Sequence, residues 1–189
     1  ATRDPVPTAI PGYLAATVSA GGDTNCGLDQ GKVACWGTNR DCNLNGIATG
    51  ADGGPDASRS GPVSVAVSGV NEVVARSRGG CARVGADVKC WGAGASGIHG
   101  SFDAGGACSP PAGNALTGAT ALGSTSDAMC AVKVDGTVWC WGLDRGYGEF
   151  GRRIDAGPDA SGVSPGVTSG PVQIAGISGV KSLGVGTVH

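Results

Sequence analysis

Histidine and aromatic residues are scarce in this sequence. Among its 189 residues are four Trp, two Tyr, two Phe and two His. A catalytic thiol needs a base close by, and the two histidines, His99 and His189, are the only imidazoles that could serve. This shortage argues against thiol chemistry, although the chain is rich in cysteine.

Long apolar runs and basic runs are also missing. No apolar stretch approaches the ~20 residues of a membrane helix, so we predict no membrane insertion. The formal net charge is -2, from 13 basic and 15 acidic residues, and there is no cluster of Lys and Arg. The charge pattern therefore argues against a nucleic-acid partner, and we predict a protein partner or further copies of the same chain.

Glycine, by contrast, is abundant. The chain has 37 glycines, close to a fifth of its residues, whereas ordinary usage is about 7%. Glycine at this density weakens helices, and the apolar residues are mostly Val, Ala, Ile and Leu. The composition predicts an all-β fold of short strands joined by many turns.

The chain contains eight cysteines. An even number indicates pairing, and pairing indicates an oxidising compartment. The alternative is a cytosolic protein with free thiols. The repeat pattern of the cysteines favours the first interpretation, so we predict an extracellular, periplasmic or cell-surface location.

Three segments align on their cysteines: "CGLDQGKVACWG" (26–37), "CARVGADVKCWG" (81–92) and "CAVKVDGTVWCWG" (130–142). The second cysteine falls at 35, 90 and 140, so the period is 55 and then 50 residues. Near the end of the sequence, "PVQIAGISGVKSLGVGTVH" repeats "PVSVAVSGVNEVVARSRGG". We predict repeats over 1–62, 63–115 and 116–171, and the start of a truncated fourth over 172–189. A period near 50 indicates propeller blades or a similar β array.

The first cysteine pair fits two opposed positions of a β-hairpin. Cys26 and Cys35 centre a two-residue turn on Gln30-Gly31. Hydrogen-bonded and non-bonded pairs alternate outward from such a turn, which makes 26:35 a non-bonded pair with Cα atoms about 4.5 Å apart. Disulfides accept Cα separations of about 4.4–6.8 Å, so the spacing predicts a cross-strand disulfide.

The other two pairs lead to the same prediction. Cys81 and Cys90 centre a turn on 85–86, and Cys130 and Cys140 enclose a three-residue loop whose third residue is Gly136, as a G1 bulge requires. The C-x₂₋₄-C spacing of structural zinc and the C-x-x-C of thioredoxin-like chemistry are both absent. Each disulfide would close a loop of about ten residues, which contributes roughly 2–3 kcal/mol in the chain-entropy model.

Two cysteines and the tryptophans remain. Cys42 and Cys108 lie in the loops after adjacent CWG motifs; a bridge between neighbouring blades is the favoured interpretation, and free thiols or pairing with another chain are the alternatives. The tryptophans of the CWG motifs, Trp36, Trp91 and Trp141, each follow a cysteine and so face the other side of the strand. We interpret them as packing between blades rather than as a ligand platform.

The unit G-V-x-x-V…C-A-V-x-x-D-G-x-V-x-C-W-G…G-x-x-G resembles the RCC1 (regulator of chromosome condensation) repeat family, and most of all its bacterial secreted, disulfide-containing type. The family's N-x-x-G-Q-L-G segment is matched here by Asn39…Asn43-Leu44, by 97–100 and by 148–151, with Cys42 where the family has Gly. The resemblance implies RCC1-like β-propeller blades, here about three and a half repeats in a partial propeller or open array.

What the resemblance implies about function is binding. Eukaryotic members exchange nucleotide on a small GTPase, and a bacterial relative inhibits β-lactamases through a propeller face, but no single motif carries either activity to this chain. We expect a secreted or cell-surface protein-binding scaffold. Because the family's propeller has seven blades, three alternatives follow: a fragment of a longer protein, two half-propellers closed around each other, or a filament in which one copy completes the next.

The sequence predicts no catalytic residues, no cofactor and no enzyme. The G-x-G-x-x-G match at 92–97 and the G-x-S-x-G match at 162–166 lack the strand-turn-helix context that those motifs need. Two similar loops carry acidic pairs that could ligate Ca²⁺, but the EF-hand spacing is missing and ordinary turn material is the favoured interpretation. These acidic residues are Asp52, Asp56, Asp155 and Asp159.

Binding residues are expected in the loops after each CWG, because repeat arrays vary and bind there. Aromatic and arginine residues are favoured at interface hot spots. The candidates of this kind are Arg40, His99, Phe102, Arg145, Tyr147, Phe150, Arg152 and Arg153.

Overall fold

The computed structural model describes residues 9–10, 12–39, 42–47, 58–93, 108–126, 128–143, 150 and 170–186. Within these residues the chain forms thirteen β-strands and no helix. The prediction of an all-β fold is therefore confirmed, and the glycine content has its expected effect on helix formation.

The strands form three antiparallel sheets, which we call blades 1, 2 and 3. Blade 1 contains β1 (Thr17–Gly21), β2 (Thr24–Asp29), β3 (Lys32–Thr38) and β4 (Ser58–Ser64), in that spatial order. Blade 2 contains β5 (Val70–Arg76), β6 (Gly79–Val84), β7 (Asp87–Ala93) and β8 (Cys108–Ser109), with β9 (Leu116–Thr117) also paired to β7. Blade 3 contains β10 (Ala119–Ser124), β11 (Ala128–Lys133), β12 (Val138–Gly142) and β13 (Val172–Gln173).

The blades are offset from the repeat boundaries drawn on the sequence. The boundary placed after residue 62 falls inside β4, which pairs with β3 of blade 1. The reason is that the Pro-Val motifs at 62–63 and 171–172 form the end of one blade and the link to the next. The last such link, from Val172 to Val180, leads out of blade 3.

The central hairpin of each blade has the turn that its cysteine spacing predicted. Gln30 and Gly31 both have positive φ, at 47° and 74°, as a type I′ turn requires. Gly85 has a φ of 60° at the first turn position of blade 2. In blade 3, Gly136 has a φ of 77° and the Lys133 amide donates to the Thr137 carbonyl at 2.9 Å, so the three-residue loop is present.

Each blade presents a disulfide face to the blade that follows and a tryptophan face to the blade before. Between blades 1 and 2, Cys26, Val33 and Cys35 pack against Val73 and Trp91. The same arrangement recurs between blades 2 and 3, where Cys81 and Cys90 pack with Leu122, Met129 and Trp141. The core of the molecule therefore consists of these inter-blade layers, and the hairpin disulfides lie inside them.

The first strand of a blade is its inner strand. A repeated backbone hydrogen bond joins the start of this strand to the hairpin turn of the blade before it. Val70 donates to Gly31 at 3.0 Å and Ala119 donates to the Ala86 carbonyl at 2.9 Å. Val180 donates to Gly136 in the same way at 3.0 Å. Residues 180–186 therefore begin where the inner strand of a next blade would begin.

Candidate functional site: the open face of blade 1

All eight cysteines are paired as predicted. The hairpin pairs Cys26–Cys35, Cys81–Cys90 and Cys130–Cys140 have Cα separations of 4.0, 4.1 and 4.1 Å. Each pair lies directly opposite in the strand register. These Cα separations are slightly shorter than the 4.5 Å expected of a non-bonded pair and much shorter than the 5.5 Å of a bonded one.

The fourth disulfide, Cys42–Cys108, joins the loop after β3 to the first residue of β8 in blade 2, with Cα atoms 5.6 Å apart. It is the predicted bridge between neighbouring blades. Cys42 has a φ of 57°, in the left-handed region that favours glycine. Cys42 therefore has a backbone conformation that glycine adopts readily, and it adds a covalent link between the blades.

The described residues of the loop after β3, Asn39 and 42–47, are held by hydrogen bonds to both blades. Asn39 accepts a hydrogen bond from the Leu44 amide at 3.1 Å, and Asn43 Nδ2 donates to the Ser77 carbonyl of blade 2 at 2.7 Å. Asn39, Asn43 and Leu44 are all buried. The amide residues of the N-x-x-G-Q-L-G match therefore hold the junction together.

The tryptophans of the CWG motifs have unequal surroundings. Trp91 and Trp141 are fully buried, and Trp91 Nε1 donates to the Asn43 carbonyl of blade 1 at 3.0 Å. Trp36 is only half-buried, because no blade precedes blade 1 among the described residues. The prediction that these side chains pack between blades holds for the two that have a preceding blade.

Trp139, which has no counterpart in the other repeats, is half-buried on blade 3. Its Nε1 donates to Thr137 Oγ1 at 3.0 Å. Lys133 Nζ lies 5.0 Å from the ring centroid, a distance at which a cation is attracted to the ring face. The side chain is therefore held locally, at the surface of its hairpin.

Of the predicted binding residues, Phe150 alone lies in the described part of the chain. Its side chain is 2% exposed and packs with Val138, Cys140 and Ile174 in the layer on the disulfide face of blade 3. Phe150 thus has the place that Leu44 has in blade 1. The following candidates lie outside the described residues: Arg40, His99, Phe102, Arg145, Tyr147, Arg152 and Arg153, and the acidic residues Asp52, Asp56, Asp155 and Asp159.

An exposed apolar surface lies on the tryptophan face of blade 1; we call it the open face and define it by Tyr13, Leu14, Val18 and Trp36. Val18 is 60% exposed, whereas its equivalents Val73 and Leu122 are 7% and 6% exposed. Leu14 is 82% exposed. Sequence reasoning did not identify Leu14 or Val18, because burial at these positions depends on whether a blade precedes them.

Tyr13 and Trp36 pack edge to face on this surface, with ring centroids 5.8 Å apart and an angle of 65° between the rings. Tyr13 covers Gly27, where a side chain would meet its ring at 2.7 Å. The pKa of Tyr13 is raised above its ordinary value, mainly because burial disfavours the phenolate and also because Asp29 is negatively charged.

A cavity of about 340 Å³ borders the open face and is lined by Tyr13, Leu14, Lys32, Val33 and neighbouring backbone. A second, of about 510 Å³, lies at the outer side of the junction between blades 1 and 2, with Lys32 and Lys89 on its walls. A third cavity, of about 200 Å³, lies where the inner strands converge and is lined mainly by Gly, Ala and Ser.

In the part of the chain that the structure describes, no helix is long and apolar enough to cross a membrane. The same residues contain no group of three His, Cys, Asp or Glu side chains placed to hold a metal ion.

Comparisons with known proteins place the fold. No protein-family model matches the sequence, and no curated protein does. Among solved structures, Prp20p from Saccharomyces cerevisiae matches with a TM-score of 0.64 and 16% identity, over 85% of this chain and 38% of its own. Yeast RCC1 (Prp20) bound to Kap60 matches with a TM-score of 0.68 and 17% identity, over 96% of this chain and 42% of its own.

Human WBSCR16 matches with a TM-score of 0.61 and 17% identity, over 88% of this chain and 39% of its own. The chain therefore has the blade architecture of RCC1-type β-propellers and spans about two fifths of the length of these proteins. The structure of Prp20p is described together with its binding to Gsp1p and histones, which is a property of that protein.

Proposed function

We propose that this chain is a protein-binding scaffold of an extracellular, periplasmic or cell-surface environment. The observation that carries the proposal is the open face, where two aliphatic and two aromatic side chains lie together on a rigid, disulfide-stapled sheet. Aromatic residues are enriched at interfaces and are favoured as hot spots. The structural similarity to RCC1-type proteins, one of which binds Gsp1p and histones, supports a binding role.

The scaffold proposal is tested by partner capture with matched variants. Val18→Asp places a charge on the open face at a site with solvent access, so the fold is preserved. Val134→Asp is the control, because Val134 is 81% exposed on the hairpin turn of blade 3. A specific partner, identified by cross-linking and mass spectrometry, is expected to bind the unchanged chain and the control but not Val18→Asp. Equal capture by all three chains would contradict the assignment of the open face.

The proposed location is supported by the four disulfides, since such bonds persist in oxidising compartments. The test is the mass of the protein isolated from its native source without reductant. We expect no free thiol to react with an alkylating reagent, and full reaction of eight cysteines after reduction. A native protein that alkylates without reduction would place it in a reducing compartment.

A second candidate function is that of a structural subunit completed by another copy, either as a closed dimer or as a filament. Residues 180–186 favour it, because they hold the place of an inner strand yet pair with no strand among the described residues. Backbone groups without a neighbouring strand can pair with a strand of another chain.

A further inference from the structure

The cavity of about 510 Å³ between blades 1 and 2 has a lysine on the wall of each blade. Lys32, the first residue of β3, lines it from blade 1, and Lys89 of β7 lines it from blade 2. The link between the two blades, residues 64–68, forms a further wall. The volume is within the roughly 300–1,000 Å³ of ligand-binding clefts. We call this cavity the lysine groove.

The two ammonium groups of the groove have little electrostatic compensation. Lys89 Nζ donates to the Ala112 carbonyl at 3.4 Å, a long and exposed hydrogen bond, and the Lys32 side chain forms no hydrogen bond or ion pair with a described residue. Asp29, the cross-strand neighbour of Lys32, lines the cavity beside Tyr13 instead. Among the described residues that line the lysine groove, none is acidic. The groove therefore lacks a negative charge to complement its lysines.

The fold does not require lysine at either place. Asp87 begins β7 as Lys32 begins β3, and Trp139 precedes its hairpin cysteine as Lys89 does. The junction of blades 2 and 3 thus has an acid and an indole where the junction of blades 1 and 2 has two cations. The paired positive charge is a property of this one junction and not of the repeat.

Apolar side chains and backbone amides complete the lining of the groove. Val33, Val65 and Pro111 line it and are buried. Ala66 and Ser68 of the link are exposed, and their amides donate no backbone hydrogen bond in the part of the chain that the structure describes. Such amides can donate to a carboxylate or to a peptide carbonyl. Apolar walls beside these donors favour a peptide over a carbohydrate, whose surface consists largely of hydroxyl groups.

We propose that the lysine groove binds an acidic, extended segment of a partner protein, with carboxylate side chains at Lys32 and Lys89 and the peptide backbone along the link 64–68. The inference rests on the proposed scaffold function and names the chemistry of the segment that a partner would present, at a surface separate from Val18. The chain carries a formal net charge of -2, so its overall charge does not attract an acidic peptide. Recognition has to come from the local pair of lysines.

The test uses the full oxidised chain and a synthetic probe, acetyl-Gly-Asp-Val-Asp-Gly-amide. In the comparison peptide both Asp residues are replaced by Asn, so that the two probes differ in charge and not in size. We expect the acidic probe to shift the amide resonances of residues 64–68 in two-dimensional NMR spectra, and the Asn probe to leave them unchanged. The affinity should fall as salt is added, because exposed charges are screened beyond about 8 Å at physiological ionic strength.

Two double variants with the same change in net charge separate the groove from general electrostatics. Lys32→Gln with Lys89→Gln removes both cations of the groove and keeps side chains of similar shape. The control is Lys133→Gln with Lys181→Gln, which neutralises the other two lysines of the chain, neither of which lines the groove. The groove variant should bind the acidic probe about tenfold more weakly, because each partly exposed charge pair contributes a few-fold, while the control binds it like the unchanged chain.

Equal affinity of the two double variants, or equal binding of the Asp and Asn probes, would overturn the inference. Displacement of the acidic probe by polygalacturonate at equal carboxylate concentration would overturn it too, because the groove would then recognise any anionic polymer. Failure of this inference is distinguishable from failure of the scaffold proposal. A chain that ignores the acidic probe but loses its captured partner on Val18→Asp retains the open face and lacks only the peptide site in the groove.

Discussion

At the scale of single residues, three equivalent tryptophans have different environments in the three blades. Trp36, Trp91 and Trp141 follow the second cysteine of three equivalent hairpins, and strand parity puts all three on the face opposite the disulfide. A preceding blade covers two of them, while Trp36 packs against Tyr13 instead. Position in the array, not the motif, decides how much each contributes to stability.

This difference predicts the cost of truncation. Trp91→Ala removes a fully buried side chain and a hydrogen bond to Asn43, so we expect a loss of about 3–5 kcal/mol in the free energy of unfolding. Trp36→Ala should cost distinctly less, because its side chain is already half in water. Urea unfolding of the oxidised chains measures both values, and equal losses would contradict the assignment of faces.

Tyr13 gives a second residue-scale prediction. Its pKa is raised by burial and by Asp29, so the neutral phenol is favoured in the folded chain. The corresponding stabilisation is complete below the ordinary value of 10.0 and is lost as the pH rises through the folded pKa. Subtracting the alkaline absorbance titration of Tyr13→Phe from that of the unchanged chain should show a tyrosine that ionises later than a free one. A normal midpoint would mean that Tyr13 is fully solvated.

At the scale of elements, the four disulfides act over different lengths of chain. The hairpin bonds span 9 or 10 positions, whereas Cys42–Cys108 spans 66 and connects two blades. Loop-closure entropy grows with length, and the hairpins are also held by strand pairing. Loss of the inter-blade disulfide should therefore lower the free energy of unfolding more than loss of a hairpin disulfide.

Replacing both Cys42 and Cys108 by serine should lower the free energy of unfolding by about 4 kcal/mol in the chain-entropy model. Replacing both Cys130 and Cys140 by alanine should lower the free energy of unfolding by about 2–3 kcal/mol, because the smaller loop is no longer closed. Chemical unfolding of both double variants gives the comparison. A larger loss from the hairpin pair would show that its packing in the core layer outweighs chain entropy.

The local elements could be predicted from the sequence because their determinants are local. The cysteine spacing and the turn residues specified all three hairpins, and the shared repeat made the Cys42–Cys108 bridge the favoured pairing. The environments of Leu14, Val18 and Phe150 could not be predicted in this way. The burial of Leu14 and Val18 depends on whether a blade precedes blade 1, whereas Phe150 is buried against Val138, Cys140 and Ile174 of its own blade. Single-strand periodicity carries no information about either neighbour.

At the scale of the whole molecule, the blades form a linear array in which each contacts its neighbours. In such arrays, stability is approximately the sum of repeat and interface contributions. The inner strand of blade 2 lies between two blades, while β1 has a blade on one side only.

Hydrogen exchange should therefore be graded along the array. We expect backbone amides of β5 and β6 to exchange slowest and those of β1 to exchange fastest among the paired strands, because β1 has no buried residue. Exchange measured by mass spectrometry on oxidised protein tests the order at peptide resolution. Strong protection of β1 would contradict an open face on the single chain.

The bridge between Cys42 and Cys108 also has a mechanical consequence. A molecule pulled from positions outside this pair cannot extend the segment between the two cysteines, which spans 66 positions. At about 3.4 Å per residue, the bond withholds roughly 220 Å of contour length from the pulling force. The strands β5 to β7 of blade 2, with Trp91 and the Cys81–Cys90 disulfide, lie inside the segment between Cys42 and Cys108. In a force experiment, blade 2 should therefore remain inextensible until a reductant reaches that single bond.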